Sequence, residues 1–504
     1  MIRWRSISAS TKKGALCSVF ILVLSYCTYV YDYTNPPGFF WDENYHVPSA
    51  QKYLNGLLFF EQHPPLGKML IALGEYIVDA NPVDNEMVGR DYMSKVPQMF
   101  SFAGYRLIPV LMAWLTAVLF LWVLFLLTKN WLIATALSFL YVFDNALIVH
   151  NRGAMLEAPM LFFCMGIILV FLLMINRKRS ERALCGYSVL FGVLFGLAFT
   201  TKLLGLIMIV LFPAALLALR PHWKQTVLYS TLAFTGFATV FVGVWQLHFS
   251  MLTKPDDSLF TYRYYTVSDK YLDLFANGKG ASLRYFPLRM KEQLAFGKHY
   301  NDAVPRLDLC KNDENGSPFF LWPMGARTIK YRWEHWGAGE QSYLYLVPNP
   351  IGWMAGLAGV VLAVSFLLSS ICFPSSIKLR SPYLLLVFTG MYVSYLIAVA
   401  QLGRVMYLYH YFLPLLFSFI LFALVVMEVN QIGGIKITEK HKTTGVLIFA
   451  CLLLIAHQFF RPLTYNLPLS DESFEKRALL KIWNMRCSGC NNYDSLVMPQ
   501  KHKN

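Results

Sequence analysis

Eleven apolar segments, each long enough or nearly long enough to cross a membrane, dominate this 504-residue chain. The hydrocarbon core of a bilayer is about 30 Å thick, so a spanning helix needs about 20 mainly apolar residues. Hydrophobic residues make up 56% of the chain and charged residues only 14%, more apolar sequence than a soluble domain can bury. We therefore expect an all-α integral membrane protein, with segments near 14–31, 105–127, 131–149, 155–175, 186–200, 203–219, 226–249, 350–372, 383–400, 405–428 and 444–460.

Basic residues cluster at alternate ends of these segments. Threading eleven spans puts all the clusters on one side, which the positive-inside rule makes cytoplasmic. The +15 net charge reflects this asymmetry and does not indicate a nucleic-acid partner. The N-terminus is then cytoplasmic, with a retained first helix, and the C-terminus is external. The clusters are Arg3/Arg5/Lys12/Lys13, Lys129, Arg177/Lys178/Arg179/Arg182, Arg220/Lys224, Lys378/Arg380 and Lys436/Lys440/Lys442.

This topology predicts a membrane domain over residues 1–460, with external loops at about 32–104 and 250–349, and an external tail over 461–504. The second loop is too long to be a bare connection, so we expect it to fold over the outer face. Within it, Tyr331–Gly337 (YRWEHWG) suits an amphipathic surface helix, a lid or a headgroup-level anchor. In the tail, Cys487 and Cys490 form a lone C-x-x-C, which favours a structural disulfide over a redox or zinc site.

The stretch Trp41–Lys68 concentrates polar side chains just outside the first span. A carboxylate near the headgroups is costly unless it faces protein or water, so Asp42 and Glu43 are candidate functional residues. The alternative is that one of them caps a short helix running to about Leu58. His63 and Lys68 follow in the same stretch.

Cations also occur on the outer side, where the positive-inside rule disfavours them. Each one alone is explained by snorkelling to lipid headgroups. Five of them close to Asp42 and Glu43 indicate an anion site, and a phosphate near the outer leaflet would fit. These cations are Lys68, Arg106, Arg152, Lys202 and Arg404.

Two further signals lie at the outer ends of spans. Glu157 either joins this site or pairs with Arg152 across one helical turn. The run 407–411 (YLYHY) opens the tenth span, where tyrosines favour an interfacial aromatic belt. His410 fits a belt poorly and joins the candidate site.

Five motifs together resemble the protein O-mannosyltransferases. WDENYH and EQHPPLGK, in 41–68, are similar to the Asp-Glu pair and His-Pro-Pro-Leu-(Ala/Gly)-Lys stretch of their first external loop. The other four matches are NRGAMLEAPMLFF at 151–163, TKLLGL at 201–206, VPNPIGW at 347–353 and YLYHYFLPLLF at 407–417, all in family order. Glu157 replaces the family's usual aspartate, which leaves its role open.

The resemblance implies a GT-C membrane fold of eleven spans, a lipid-phosphate-linked mannose donor and a protein Ser or Thr acceptor. Loop 250–349 is too short for the trefoil MIR domain of the eukaryotic members, so a bacterial-type relative is expected, in the plasma membrane (or the endoplasmic reticulum if the chain is eukaryotic). Related lipid-carrier transferases modify lipid A or cell-wall glycans, so the acceptor stays open. An oligomer is compatible with this interpretation.

The chemistry of such a transferase assigns roles to these residues. A base must take the proton of the acceptor hydroxyl, for which we predict Asp42, with Glu43 orienting the acceptor. Cations must stabilise the leaving phosphate; the candidates for donor binding are Arg106, Arg152, Glu157, Lys202, Arg404, His410, His63 and Lys68. Phosphate is a good leaving group, so neither a metal nor another cofactor is expected. A transporter or flippase would instead place ionisable residues at the midplane, often within repeats, and a structural envelope subunit would need no such polar constellation.

Overall fold

The computed structural model describes residues 9–175, 179–255, 265–311, 314–337, 340–373 and 378–486. Most of them are helical. In chain order the α-helices are α1 Ala9–Ser25, α2 Glu43–Asn55, α3 Leu66–Val78, α4 Ala103–Thr128, α5 Trp131–Leu137, α6 Phe139–Val142, α7 Asn145–Asn151, α8 Glu157–Ile175, α9 Glu181–Thr201, α10 Leu211–Leu219, α11 Trp223–Met251, α12 Asp269–Ala276, α13 Phe286–Ala303, α14 Pro350–Cys372, α15 Pro382–Ala400, α16 Phe412–Glu428, α17 Glu439–Thr464 and α18 Asp471–Glu475.

The predicted spans are found, although they are not all straight helices. Among the described residues, nine helical segments are long and apolar enough to cross a membrane. A tenth, Trp131–Val142 with Asn145–Asn151, is bent by 60° at a short break, and Leu203–Leu219 is a shorter apolar helix. These eleven positions coincide with the eleven apolar segments of the sequence. The protein is therefore a multi-pass integral membrane protein, as predicted.

The two most enclosed spans lie at the centre of the fold and carry site residues at their outer ends. These spans are Glu157–Ile175 and Leu408–Glu428. Glu157 is the first residue of α8, and His410 lies in the 3₁₀ turn that leads into α16. Polar groups at the ends of these central helices are shielded from lipid. A charged side chain buried there is stable only when it is paired with a partner.

The chain reverses sharply at Lys202, between α9 and the 3₁₀ segment Leu203–Val210. Lys202 is extended, with φ −154° and ψ 136°. Gly205 then lies so close to α9 that a Cβ there would be 3.0 Å from the backbone of Ala198. This close approach folds the apolar segment back against α9 and leaves Lys202 at the outer end of both elements.

A small antiparallel sheet lies outside the spans and was not predicted. Its strand order is β1-β2-β5, and a separate β3–β4 hairpin connects α16 to α17; the strands are β1 Ile329–Gly337, β2 Glu340–Leu346, β3 Gln431–Ile432, β4 Ile435–Lys436 and β5 Pro468–Ser470. The helical interpretation of Tyr331–Gly337 is wrong, because this stretch is strand β1. Ile329 and Tyr331 are buried, whereas Lys330 and Arg332 are partly exposed, which is the period of two that a strand imposes.

The external segments are joined to one another. Strands β1 and β2 come from the second loop, and β5 comes from the residues after α17. Leu57 in the first loop forms a parallel bridge with Lys254 at the start of the second. Helices α2, α3, α12 and α13 and the three-stranded sheet thus form one layer over the ends of the spans. The second loop folds as expected.

Candidate active site

A polar chamber of about 350 Å³ lies between this external layer and the spans. Helix α2 and the chain before α3 form one side, and the end of α13 with the segment before α16 forms the other. The chamber brings together six of the predicted site residues, namely Asp42, His63, Lys68, Lys202, Arg404 and His410.

A larger and mostly apolar groove of about 1010 Å³ adjoins the chamber. Its apolar wall comes from the segment after Lys202 and from α15. Leu203, Leu206 and Ile209 on this wall are about half-exposed, as expected of side chains that face lipid. Lys202, Arg404, His63 and His410 line both spaces, so the cations lie at the junction between groove and chamber.

Asp42 faces the chamber and does not cap α2. Its side chain makes no capping hydrogen bond, so the capping interpretation is wrong for this residue. Oδ2 accepts a hydrogen bond from the Tyr409 hydroxyl at 3.2 Å, and Oδ1 has no hydrogen-bond partner among the described residues. Burial, followed by repulsion from Glu157, raises the pKa of Asp42. A carboxylate with a free oxygen and a raised pKa suits a general base.

Glu43, the next residue, does not line the chamber and is fully buried. Its oxygens accept from Arg106 Nε at 2.7 Å and Nη2 at 2.8 Å, and from the Ala154 amide at 2.8 Å. Arg106 is fully buried as well, and its guanidinium also donates hydrogen bonds to carbonyls of the loop before α2. The pair therefore holds this loop in place, and neither residue lines the chamber.

Arg152 also lies outside the lining of the chamber. Its guanidinium donates to the carbonyls of Thr28 (3.3 Å), Tyr31 (2.8 Å) and Asp32, and packs over the ring of Tyr465. The proposed pair with Glu157 is wrong. Arg152 instead anchors the end of the first span, which favours a structural role.

Glu157 is buried behind the chamber, where it links two basic side chains. Lys202 contacts Oε1, and His150 Nε2 lies 2.8 Å from Oε2. On its other side, His150 Nδ1 is 2.6 Å from the Tyr331 hydroxyl of β1. All these contacts are satisfied when Tyr331 donates to Nδ1 and the Nε2 hydrogen is donated to Glu157. Glu157 thus positions the Lys202 ammonium at the junction.

Tyr409 connects this network to the candidate base. Its ring stacks on His150 with centroids 4.7 Å apart, and the Lys202 ammonium lies 5.3 Å from its centre. The belt interpretation is wrong for Tyr409 and Tyr411, which are 4% and 1% exposed. Sequence reasoning also missed the roles of His150 and Tyr331; the signal for His150 was a histidine at the end of an apolar segment.

Arg404 is a cation of the chamber whose guanidinium is only partly hydrogen-bonded. Nη1 donates to Asn301 at 3.1 Å, while the buried Nε has no partner among the described residues. Lys68, by contrast, is held by Glu61 and by Ser49 at 3.1 Å. The freer cation is the better candidate for an incoming phosphate.

Three histidines complete the walls of the chamber. Burial, together with Lys68, lowers the pKa of His46 to about 3, and its Nδ1 hydrogen is donated to the Ala154 carbonyl at 2.9 Å. Burial, together with Lys202 and Lys68, lowers the pKa of His63 well below its usual value. His410 contacts the Tyr407 backbone through Nδ1 at 3.0 and 3.1 Å. His46 and His63 are therefore neutral and contribute hydrogen bonds rather than charge.

Two family models match successive parts of the chain. Dolichyl-phosphate-mannose-protein mannosyltransferase matches residues 19–253, and the C-terminal four-transmembrane region of protein O-mannosyltransferase matches residues 290–483. Together they span most of the sequence, in the order that the motifs predicted. The chain belongs to the protein O-mannosyltransferase family.

Individual relatives agree with this assignment. Protein O-mannosyltransferase 1 of Drosophila pseudoobscura pseudoobscura is 30% identical over 263 residues, which are 48% of this chain and 28% of the relative. Dolichyl-phosphate-mannose–protein mannosyltransferase 1 of Candida albicans is 24% identical over 269 residues, 50% of this chain and 29% of the relative. The chain thus matches less than a third of the length of these two curated relatives.

The fold is also that of a solved family member. A chain of the Saccharomyces cerevisiae protein O-mannosyltransferase Pmt1–Pmt2 complex, bound to the sugar donor, superposes with a TM-score of 0.74 over 94% of this chain and 93% of that one, at 14% identity. This match confirms the predicted GT-C membrane fold.

Proposed function

We propose that this protein transfers a sugar, taken as mannose from the family, from a polyprenyl-phosphate carrier to a protein Ser or Thr hydroxyl. One observation carries the proposal: a carboxylate with a free oxygen, Asp42, and an incompletely paired guanidinium, Arg404, face one chamber that opens into an apolar groove. Transfer from a lipid phosphate needs a base, a phosphate site and a lipid path together.

The donor fits the two adjoining spaces. Its apolar chain lies in the groove along the segment after Lys202, where burying hydrocarbon is favourable. Its phosphate lies at the junction, between Lys202 and Arg404, where neutral His63 adds a hydrogen bond. Its sugar then extends into the chamber toward Asp42. Charge-assisted hydrogen bonds at the junction also stabilise the phosphate as it leaves.

The reaction is a direct displacement. The acceptor hydroxyl oxygen attacks the anomeric carbon, Asp42 Oδ1 takes the hydroxyl proton, and the electrons of the breaking carbon–oxygen bond pass to the phosphate. Glu43, the neighbouring acid, is fully buried and fully hydrogen-bonded, so it supports the loop of the base rather than the acceptor. A single displacement of this kind inverts the configuration at the anomeric carbon.

The proposed reaction needs no metal or other cofactor. The leaving phosphate is stabilised by Lys202 and Arg404, and phosphate is a good leaving group without further activation. Transfer is therefore expected to persist in the presence of a strong chelator such as EDTA, and a chelator-sensitive rate that a divalent metal restores would contradict this part of the proposal.

The chamber is proposed to face the outside of the cell membrane, or the lumen if the membrane is that of the endoplasmic reticulum. The sheet and the Leu57–Lys254 bridge support one common side for both long loops and for the chain after α17. Threading the sequence through eleven spans assigns the basic clusters to the other side, which supports a cytoplasmic N-terminus. A reporter fused at Asn504 and active only in the cytoplasm would contradict this orientation. Cys487 and Cys490 lie outside the described residues, and their disulfide stays a prediction.

The decisive experiment incubates the purified protein with radiolabelled polyprenyl-phosphate-mannose and a Ser/Thr-containing peptide. We expect label in the peptide, and none with the same peptide carrying Ala at those positions. Label that appears only when a lipid A or cell-wall glycan acceptor is supplied would overturn the protein acceptor but keep the transferase. No transfer to any hydroxyl acceptor would overturn the proposal.

Replacing Arg404 by alanine should weaken donor affinity by about 10- to 100-fold, because a charged hydrogen bond to phosphate contributes about 1.5–3 kcal/mol. Donor affinity is measured by titration with the labelled lipid in one detergent. Arg284→Ala, which removes an exposed arginine outside the chamber, is the control. Unchanged donor affinity in Arg404→Ala would mean that this side chain only snorkels.

A further inference from the structure

Two exposed tyrosines outside the membrane spans pack against each other, and one of them, Tyr45, lines the chamber. Tyr45 is 51% exposed and Tyr92 is 49% exposed. Their ring centroids are 4.9 Å apart and their planes are tilted by 58°. Tyrosine provides a large, rigid contact area with a polar tip and is enriched where proteins bind partners.

The segment that carries Tyr92 is fixed to α2 on both sides of this residue. On one side, Asp91 pairs with Lys52, which is only 2% exposed. On the other side, the Met93 amide donates to the Asn44 carbonyl at 3.0 Å, and the Asn44 side-chain amide donates back to the Met93 carbonyl. Tyr92 is thus held beside Tyr45 before any partner binds, and such preorganisation lowers the entropy cost of binding.

The pair lies close to the candidate base. Tyr45 lines the chamber with Asp42 and follows it by three residues at the start of α2, a rise of about 4.5 Å along the helix. An extended peptide advances about 3.3 Å per residue. A peptide whose hydroxyl reaches Asp42 therefore passes the tyrosines within about two residues of the acceptor Ser or Thr.

We propose that Tyr45 and Tyr92 form an acceptor subsite that binds an apolar side chain one or two residues from the modified Ser or Thr. The inference rests on the proposed function and adds the residues that select the peptide. Aromatic faces favour apolar groups, and Asp91, the acid beside the pair, is already matched by Lys52. The subsite thus distinguishes acceptor peptides by the residues that lie next to the modified Ser or Thr in their sequence.

The test compares Tyr45→Ala, Tyr92→Ala and the double variant with the wild-type protein. Truncating an aromatic contact of this kind is expected to raise KM for a peptide with an apolar residue next to its Ser by about tenfold. Donor affinity should not change, and Tyr45→Phe with Tyr92→Phe should restore most of the peptide affinity. Tyr76→Ala, which removes a tyrosine that is 75% exposed on α3, is the matched control.

Binding of a fluorescent peptide, measured by anisotropy, separates this inference from the proposed function. Peptide binding that depends on the two rings supports the subsite even if no sugar is transferred. Equal peptide affinity in the wild-type protein and in the double variant overturns it and leaves the tyrosines as headgroup contacts. Equal losses of peptide and donor affinity in the Tyr92→Ala variant also overturn it, because the residue would then maintain the chamber as a whole.

Discussion

Replacing Asp42 by asparagine is expected to lower turnover by about 10²–10⁴-fold, the usual contribution of a general base. Asparagine keeps the shape of the side chain and its contact with Tyr409 but accepts no proton. Donor affinity should persist, because the phosphate binds at the junction with Lys202 and Arg404. The measurement is turnover and donor affinity for each variant in the same detergent, with Asp84→Asn, an exposed acid of the same loop, as the control.

The pH dependence tests the same assignment. Because burial raises the pKa of Asp42 above its ordinary value of 3.8, the base becomes protonated, and turnover falls, at a higher pH than for an exposed aspartate. In the Asp42→Asn variant, turnover should no longer show this fall at acidic pH. Near-normal turnover with an unchanged pH profile would show that Asp42 is a structural partner of Tyr409.

Replacing Arg106 by alanine is expected to destabilise the protein by about 3–5 kcal/mol, because it leaves the carboxylate of Glu43 buried without its partner. Both residues are fully buried, and the guanidinium also binds three carbonyls of the loop before Asp42. The expected readout is a large fall in thermal stability in detergent, whereas the folded fraction retains its donor affinity.

Two comparisons make this second prediction specific. Arg404→Ala removes a cation that is not fully buried, and should change thermal stability little. The double variant Glu43→Leu/Arg106→Met removes both charges and should recover part of the lost stability, as buried ion pairs replaced by apolar residues often do. Loss of donor affinity in Arg106→Ala, with normal thermal stability, would instead support the prediction from the sequence that Arg106 binds the donor phosphate.

The sequence alone determined the membrane architecture of this protein. The bilayer requires long apolar segments, and these can be read directly from the sequence, so all eleven positions were located. The motif around Asp42 and the motif at 407–417 likewise predicted that residues distant in sequence share one site. The family resemblance followed from the same motifs.

Only the tertiary structure decided which charged residues of that site are free. Arg106, Arg152 and Arg404 look alike in sequence, each an arginine at the outer end of a span. Their partners come from distant parts of the chain. Glu43 and loop carbonyls satisfy Arg106, and carbonyls at the end of the first span satisfy Arg152. Arg404 Nε has no partner among the residues that the structure describes. Likewise, the strand at Tyr331 exists because β2 pairs with it, and its contact with His150 spans 181 residues. Such partners depend on packing across the whole fold, which local patterns do not encode.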